Sequence, residues 1–118
     1  MPTAIKADTK GYDPVKHKEF YPKGAKITYV FPAKGDRGPV KVVWYDGDYS
    51  IPRPDELKHE KRKVVGTGAV VVGDKGKIMH GSHGAGGCRI IPEAKMREFG
   101  KPDQKIPRVR GSHQNNWL

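Results

Sequence analysis

The stretch "VVVGDKGKIMHGSHGAGGC" (residues 70–88) holds the side chains of this sequence best suited to bind a metal: His80, His83 and the single cysteine, Cys88. Imidazole and thiolate are ligands that zinc prefers, and a site needs three or four of them converging, with hydrogen-bonded partners behind them. The H-x-x-H spacing on a glycine-rich loop supplies two, Cys88 could supply a third, and His113 is a remote fourth. No carboxylate lies between Lys75 and Pro92 to assist them. The plainer reading, two solvent-exposed histidines and a small core cysteine, is the stronger one. Nucleophilic catalysis could recruit Ser82 or Ser112 beside His83 or His113. Adjacency in sequence does not make a dyad, however, and no acid follows at a helpful position. His80, His83 and His113 are therefore the catalytic candidates, and His80, His83 and Cys88 the metal candidates.

Phosphate-cradling readings of the same stretch fail on context. A Walker A loop requires G-x-x-x-x-G-K-[ST] between a strand and a helix. Here Lys77 is followed by Ile78 and Met79, which favour a strand. A dinucleotide fingerprint requires G-x-G-x-x-G opening a helix, whereas "GTGAVVVG" runs into β-branched valines. Elsewhere, "KHEKRK" (residues 58–63) could contact phosphates, although a charge run beside a proline-rich loop is more often a solvated face. Trp44 and Tyr45 could stack on a sugar or a base, and are the substrate-binding candidates. Packing in a core or an interface is the alternative for both.

The elements that must position these residues are short. The chain has 118 residues, 35% of them hydrophobic, with 15 glycines and 10 prolines, which fits one domain of strands and turns. Its net charge of +10 favours anionic partners, but no nucleic-acid-binding module accompanies the charge, so nucleic acid is disfavoured as a partner. A lone cysteine excludes a disulfide scaffold and points to a reducing, cytoplasmic compartment. No apolar run has membrane-spanning length, and the N-terminus lacks the apolar segment of a signal peptide.

Along the chain, residues 3–7 read as a short edge strand and residues 8–25 as a long polar loop. Residues 26–33 form a strand with Ile27, Tyr29 and Phe31 on one face, and Thr28 and Val30 on the other. Residues 40–47 form its hairpin partner, with Val40, Val42 and Trp44 on one face, and Val43 and Tyr45 on the other. Strands apolar on both faces expect cover on both. "PDEL" (residues 54–57) opens a helical turn. Residues 64–73 and 77–81 are strands around a turn at 74–76, and residues 88–92 are a further strand. Residues 92–100 are a short helix with both ends marked, and "SHQNNWL" (residues 112–118) starts a helix that the chain end cuts short. The expected fold is α+β, mostly antiparallel β-sheet with one or two short helices, as a single domain over 1–118.

The order "ITYVFPAKGDRGPVKVVWYDG", "PRPDEL", "GTGAVVVGDKGKIMHGSHGAGGCRIIPEAKMREF" and "KIPRVRGSHQNNWL" resembles the C-terminal domain of bacterial oxidoreductases of the glucose–fructose oxidoreductase / inositol dehydrogenase (Gfo/Idh/MocA) family. The resemblance runs over nearly the whole chain. It implies a two-domain parent whose N-terminal Rossmann domain binds NAD or NADP. In such a parent the C-terminal domain has one large antiparallel sheet, facing the substrate site on one side and, often, a second subunit on the other. The implied chemistry is hydride transfer at a sugar or cyclitol hydroxyl. The family's catalytic lysine belongs to the nucleotide-binding half, so no residue here takes its role, and His17 falls at no matching catalytic position. The expected function is that of a substrate-binding and oligomerisation domain, without cofactor binding of its own. Its expected partners are a second copy through the sheet and a carbohydrate-like small molecule. The alternatives are a stand-alone carbohydrate-active hydrolase, metal-assisted through His80 and His83, and a basic anion- or nucleic-acid-binding module.

Overall fold

The computed structural model describes residues 1–82, 86–107, 110–112, 114 and 117. The chain divides into two compact units, Met1–Arg53 and Pro54–Leu118. The architecture is α+β and mainly β, with antiparallel strands in two three-stranded sheets and one α-helix among the described residues. The resemblance implies one large sheet; the strands instead complete two small ones.

In the first unit, β1 (Ala4–Lys10), β2 (Gly24–Phe31) and β3 (Val40–Gly47) pair in the order β1-β2-β3. The register sets Ile5 beside Tyr29 and Tyr29 beside Val42, Ala7 beside Ile27 and Ile27 beside Trp44, and Phe31 beside Val40. Side chains alternate along a strand, so these residues share one face. The opposite face carries Lys6, Asp8, Lys10, Lys26 and Lys41 with Thr28, Val43 and Tyr45. The sheet is therefore amphipathic, not apolar on both sides. The turn between β2 and β3 closes through reciprocal main-chain hydrogen bonds of Lys34 and Arg37, at 2.9 and 3.1 Å. At the far end, Gly47 sits at φ +57°, and its missing Cβ lets the Lys23 carbonyl approach closely. The same carbonyl accepts the Asp48 N–H at 3.0 Å.

In the second unit, β4 (Gly68–Val72), β5 (Lys77–Gly81) and β6 (Arg89–Ile91) pair in the order β4-β5-β6. Val70 lies beside Met79, on the face that also carries Ile91. Pro54 starts a single 3₁₀ turn, Asp55–Leu57, which brings Leu57 onto that face. Leu57, Met79 and Ile91 form the buried core, with Val64, Val65 and Val70 packed against it. Ion pairs surround this core. Lys77 Nζ meets Glu56 at 2.8 Å, Arg62 meets Glu93 at 3.1 Å, and Arg89 also grips the Glu93 carboxylate. Helix α1 (Glu93–Phe99) follows Pro92 and stops at Gly100, whose N–H reaches the Met96 carbonyl at 3.1 Å.

Candidate functional site

The largest chemical contrast in the first unit lies between the two faces of its sheet. Ile5, Ile27, Tyr29, Phe31, Val40, Val42 and Trp44 make one continuous apolar face. Much of it meets solvent: Ile5 is 62% exposed, Trp44 59%, Val42 44% and Val40 38%. Contiguous exposed apolar surface of this kind marks an interaction site. β2 holds its centre, since Ile27 and Tyr29 are flanked by neighbours from both outer strands. The face is built by alternation in three strands, and Ile5 completes it from β1, a strand whose composition looks polar.

Trp44 and Tyr45 part company on β3. Trp44 lies beside Ile27 on the apolar face, while Tyr45 lies beside Lys26 on the basic face, where it is half-buried. They cannot form one stacking platform. Of the aromatic residues in these strands, Tyr29, Phe31 and Trp44 lie on the apolar face and Tyr45 alone lies among the lysines, so the basic face lacks the run of stacking rings that binds single-stranded nucleic acid.

The "KHEKRK" run is partly structural. Lys58 pairs with Asp55 at 2.7 Å, Arg62 pairs with Glu93, and Glu60 Oε1 accepts the Glu93 N–H at 2.7 Å. The Arg89 hydrogen bond is the chief reason the Glu93 carboxyl is held below its usual range; partial burial opposes it. The Lys77 ammonium does the same for Glu56, and Lys58 for Asp55.

His80 lies beside Ala69, on the face of β5 opposite Met79 and the core. Its Nδ1 is 2.7 Å from the Gly81 carbonyl. A carbonyl only accepts, so Nδ1 is the donor in this contact. Cys88 is exposed, just before β6. His83 and His113 lie outside the described residues, as does most of the helix expected at 112–118. Among the described residues, no three His, Cys, Asp or Glu side chains gather where they could hold a metal. Among the same residues, no helix is long and apolar enough to cross a membrane.

Comparison of the chain with protein-family models, with curated proteins and with solved structures gives no match.

Proposed function

We propose that this chain acts as a substrate-binding and oligomerisation domain of the kind found in NAD(P)-dependent sugar and cyclitol oxidoreductases, and that it associates with a second copy through the apolar face of the β1–β3 sheet. The observation that carries the reading is that face, on which four large apolar side chains remain 38–62% exposed. Full burial of such a side chain is worth about 1.5–3 kcal/mol, so covering both faces of a symmetric pair recovers roughly 6–12 kcal/mol. The loss of free motion on association costs about 4–15 kcal/mol. The balance gives weak association that depends on concentration. The dinucleotide, in this reading, is held by a Rossmann domain outside these 118 residues, because no G-x-G-x-x-G follows a strand here.

Sedimentation equilibrium of the full chain tests the association. Dimer content should rise with protein concentration. Trp44→Lys should weaken the pair about a hundredfold, roughly tenfold for each copy's lost burial. A chain that stays monomeric at every concentration, or a variant that associates like the parent, contradicts the reading.

A further inference from the structure

The thirteen residues 11–23 leave the first sheet after β1 and return at β2 as a compact loop with tied ends. The Lys23 N–H donates to the Lys10 carbonyl at 3.0 Å. Inside the loop, Asp13 Oδ1 accepts the N–H groups of Val15 at 2.9 Å and Lys16 at 3.2 Å. The Asp13 carbonyl accepts the His17 N–H at 2.8 Å, and the His17 carbonyl accepts the Phe20 N–H at 3.2 Å. Ω-loops of this kind, closed at the base and packed by their own side chains, are frequent functional sites.

The rings of the loop are ordered around His17. Its centroid lies 6.3 Å from that of Tyr12 and 6.5 Å from that of Phe20, the latter edge-on. Tyr12, Asp13, His17, Phe20, Tyr21 and Lys23 line a shallow depression open to solvent. Phe20 and Tyr21 expose 71% and 96% of their surface, although the hydrogen bonds above fix the loop that carries them. Rings so exposed on an ordered loop are available to stack on a ligand.

The polar groups define what that ligand carries. His17 Nδ1 accepts the Asp13 N–H at 2.9 Å, so the neutral ring bears its proton on Nε2 and offers it as a donor. Gly11, at φ +62°, leaves room for the stem of Lys23, whose Cδ would lie 3.0 Å from a Cβ there. Among the described residues, no carboxylate pairs with the Lys23 ammonium. Asp13, the one acid lining the depression, has Oδ1 occupied by the loop's own N–H groups. Ring faces, one neutral donor and one unpaired cation suit a ring-shaped ligand with an anionic substituent.

The geometry points to a binding site in this loop for a pyranose bearing a carboxylate or a phosphate. The apolar face of the sugar stacks on Phe20 and Tyr21, the anionic group meets Lys23, and His17 donates to a sugar oxygen. The choice of a sugar over another ring rests on the carbohydrate reading above; the position of the site and the charge of its ligand rest on the loop alone.

Titration of the full, isotope-labelled chain with glucuronate, glucose 6-phosphate, glucose and inorganic phosphate, followed by NMR, tests the assignment. At least one of the two acidic sugars should bind about tenfold more tightly than glucose or phosphate, with saturable shifts at Tyr12, His17, Phe20 and Tyr21. The tighter acid identifies the anionic group. Lys23→Gln should bring the acids down to the affinity of glucose, and Phe20→Ala should weaken every sugar while leaving the strand amides of the sheet in place. Equal affinity for glucose and both acids overturns the ligand charge. Sugar-dependent shifts centred on Trp44 overturn the site and leave the carbohydrate reading standing. Binding of no sugar overturns the site, while sedimentation still decides the association separately.

Discussion

Leu57→Ala probes the smallest set of contacts on which a whole unit depends. Leu57 is fully buried, and among the described hydrophobic side chains only Met79 and Ile91 are buried with it. Truncating a buried leucine to alanine costs about 2–5 kcal/mol, and more of it where the cavity cannot close. Val70 is held by pairing in β4, whereas Val64 and Val65 precede the strand and can shift toward the gap. Partial collapse places the loss near 3 kcal/mol. A unit of this size has roughly 3–10 kcal/mol in total, so the substitution removes a third of it or nearly all. A urea titration of the full chain, followed at the Met79 methyl resonance, reads the loss directly. With a slope near 1 kcal/mol per molar urea, the midpoint should fall by about 3 M. A loss under about 1 kcal/mol, the level of an ordinary substitution, would refute the placement of Leu57 at the centre of this core.

Gly47→Ala should destabilise the first sheet by about 1–3 kcal/mol, because a non-glycine residue is strained at φ +57° and its Cβ would press on the Lys23 carbonyl; an unchanged thermal midpoint would contradict the close approach. Acid should weaken the second unit. Glu93, Glu56 and Asp55 are held below their ordinary values of 4.5, 4.5 and 3.8 by partner cations, so their contribution is present above those values and is lost as the pH falls through the lowered ones. Glu93→Gln should flatten that decline in a pH series of urea midpoints, and an equally steep decline would count against the Arg89–Glu93–Arg62 cluster. NADH and NADPH should leave the calorimetric trace of the chain at its dilution baseline; tight binding would contradict the claim that the dinucleotide site lies elsewhere.

Much of the fold was legible where local pattern and tertiary pairing agree. The strands Val40–Gly47 and Lys77–Gly81 occupy the residues their composition marks, and helix α1 lies between the Pro92 and Gly100 that punctuate it. β1 runs longer than its composition suggests, since Asp8, Thr9 and Lys10 are not a strand-like run. Pairing with Lys26, Ala25 and Gly24 draws them into the ladder regardless. β4 is shorter than its composition suggests: Val64 and Val65 look like strand residues, whereas they pack against the Leu57–Met79–Ile91 core. Two sheets of three cannot be told from one larger sheet by alternation, since both present the same period of two.

The site was less legible. Trp44 stood out by type, but its separation from Tyr45, and its company of Ile5, Tyr29 and Val42, depend on register across three strands. The loop at 11–23 read as polar connection. What orders its rings is the pairing of Asp13 with His17, a four-residue relation that matches no periodic pattern. The signal available was compositional: Tyr12, Phe20 and Tyr21 beside Lys23, in a stretch otherwise rich in charge.

The most direct test of the association claim is an isotope-filtered NOE experiment on an equimolar mixture of labelled and unlabelled chains, at the concentration where sedimentation shows dimer. Intermolecular contacts should appear at Ile5, Val40, Val42 and Trp44, and not at Lys6, Lys26 or Tyr45 on the opposite face. Intermolecular contacts confined to the basic face, or to the second unit, would contradict the account.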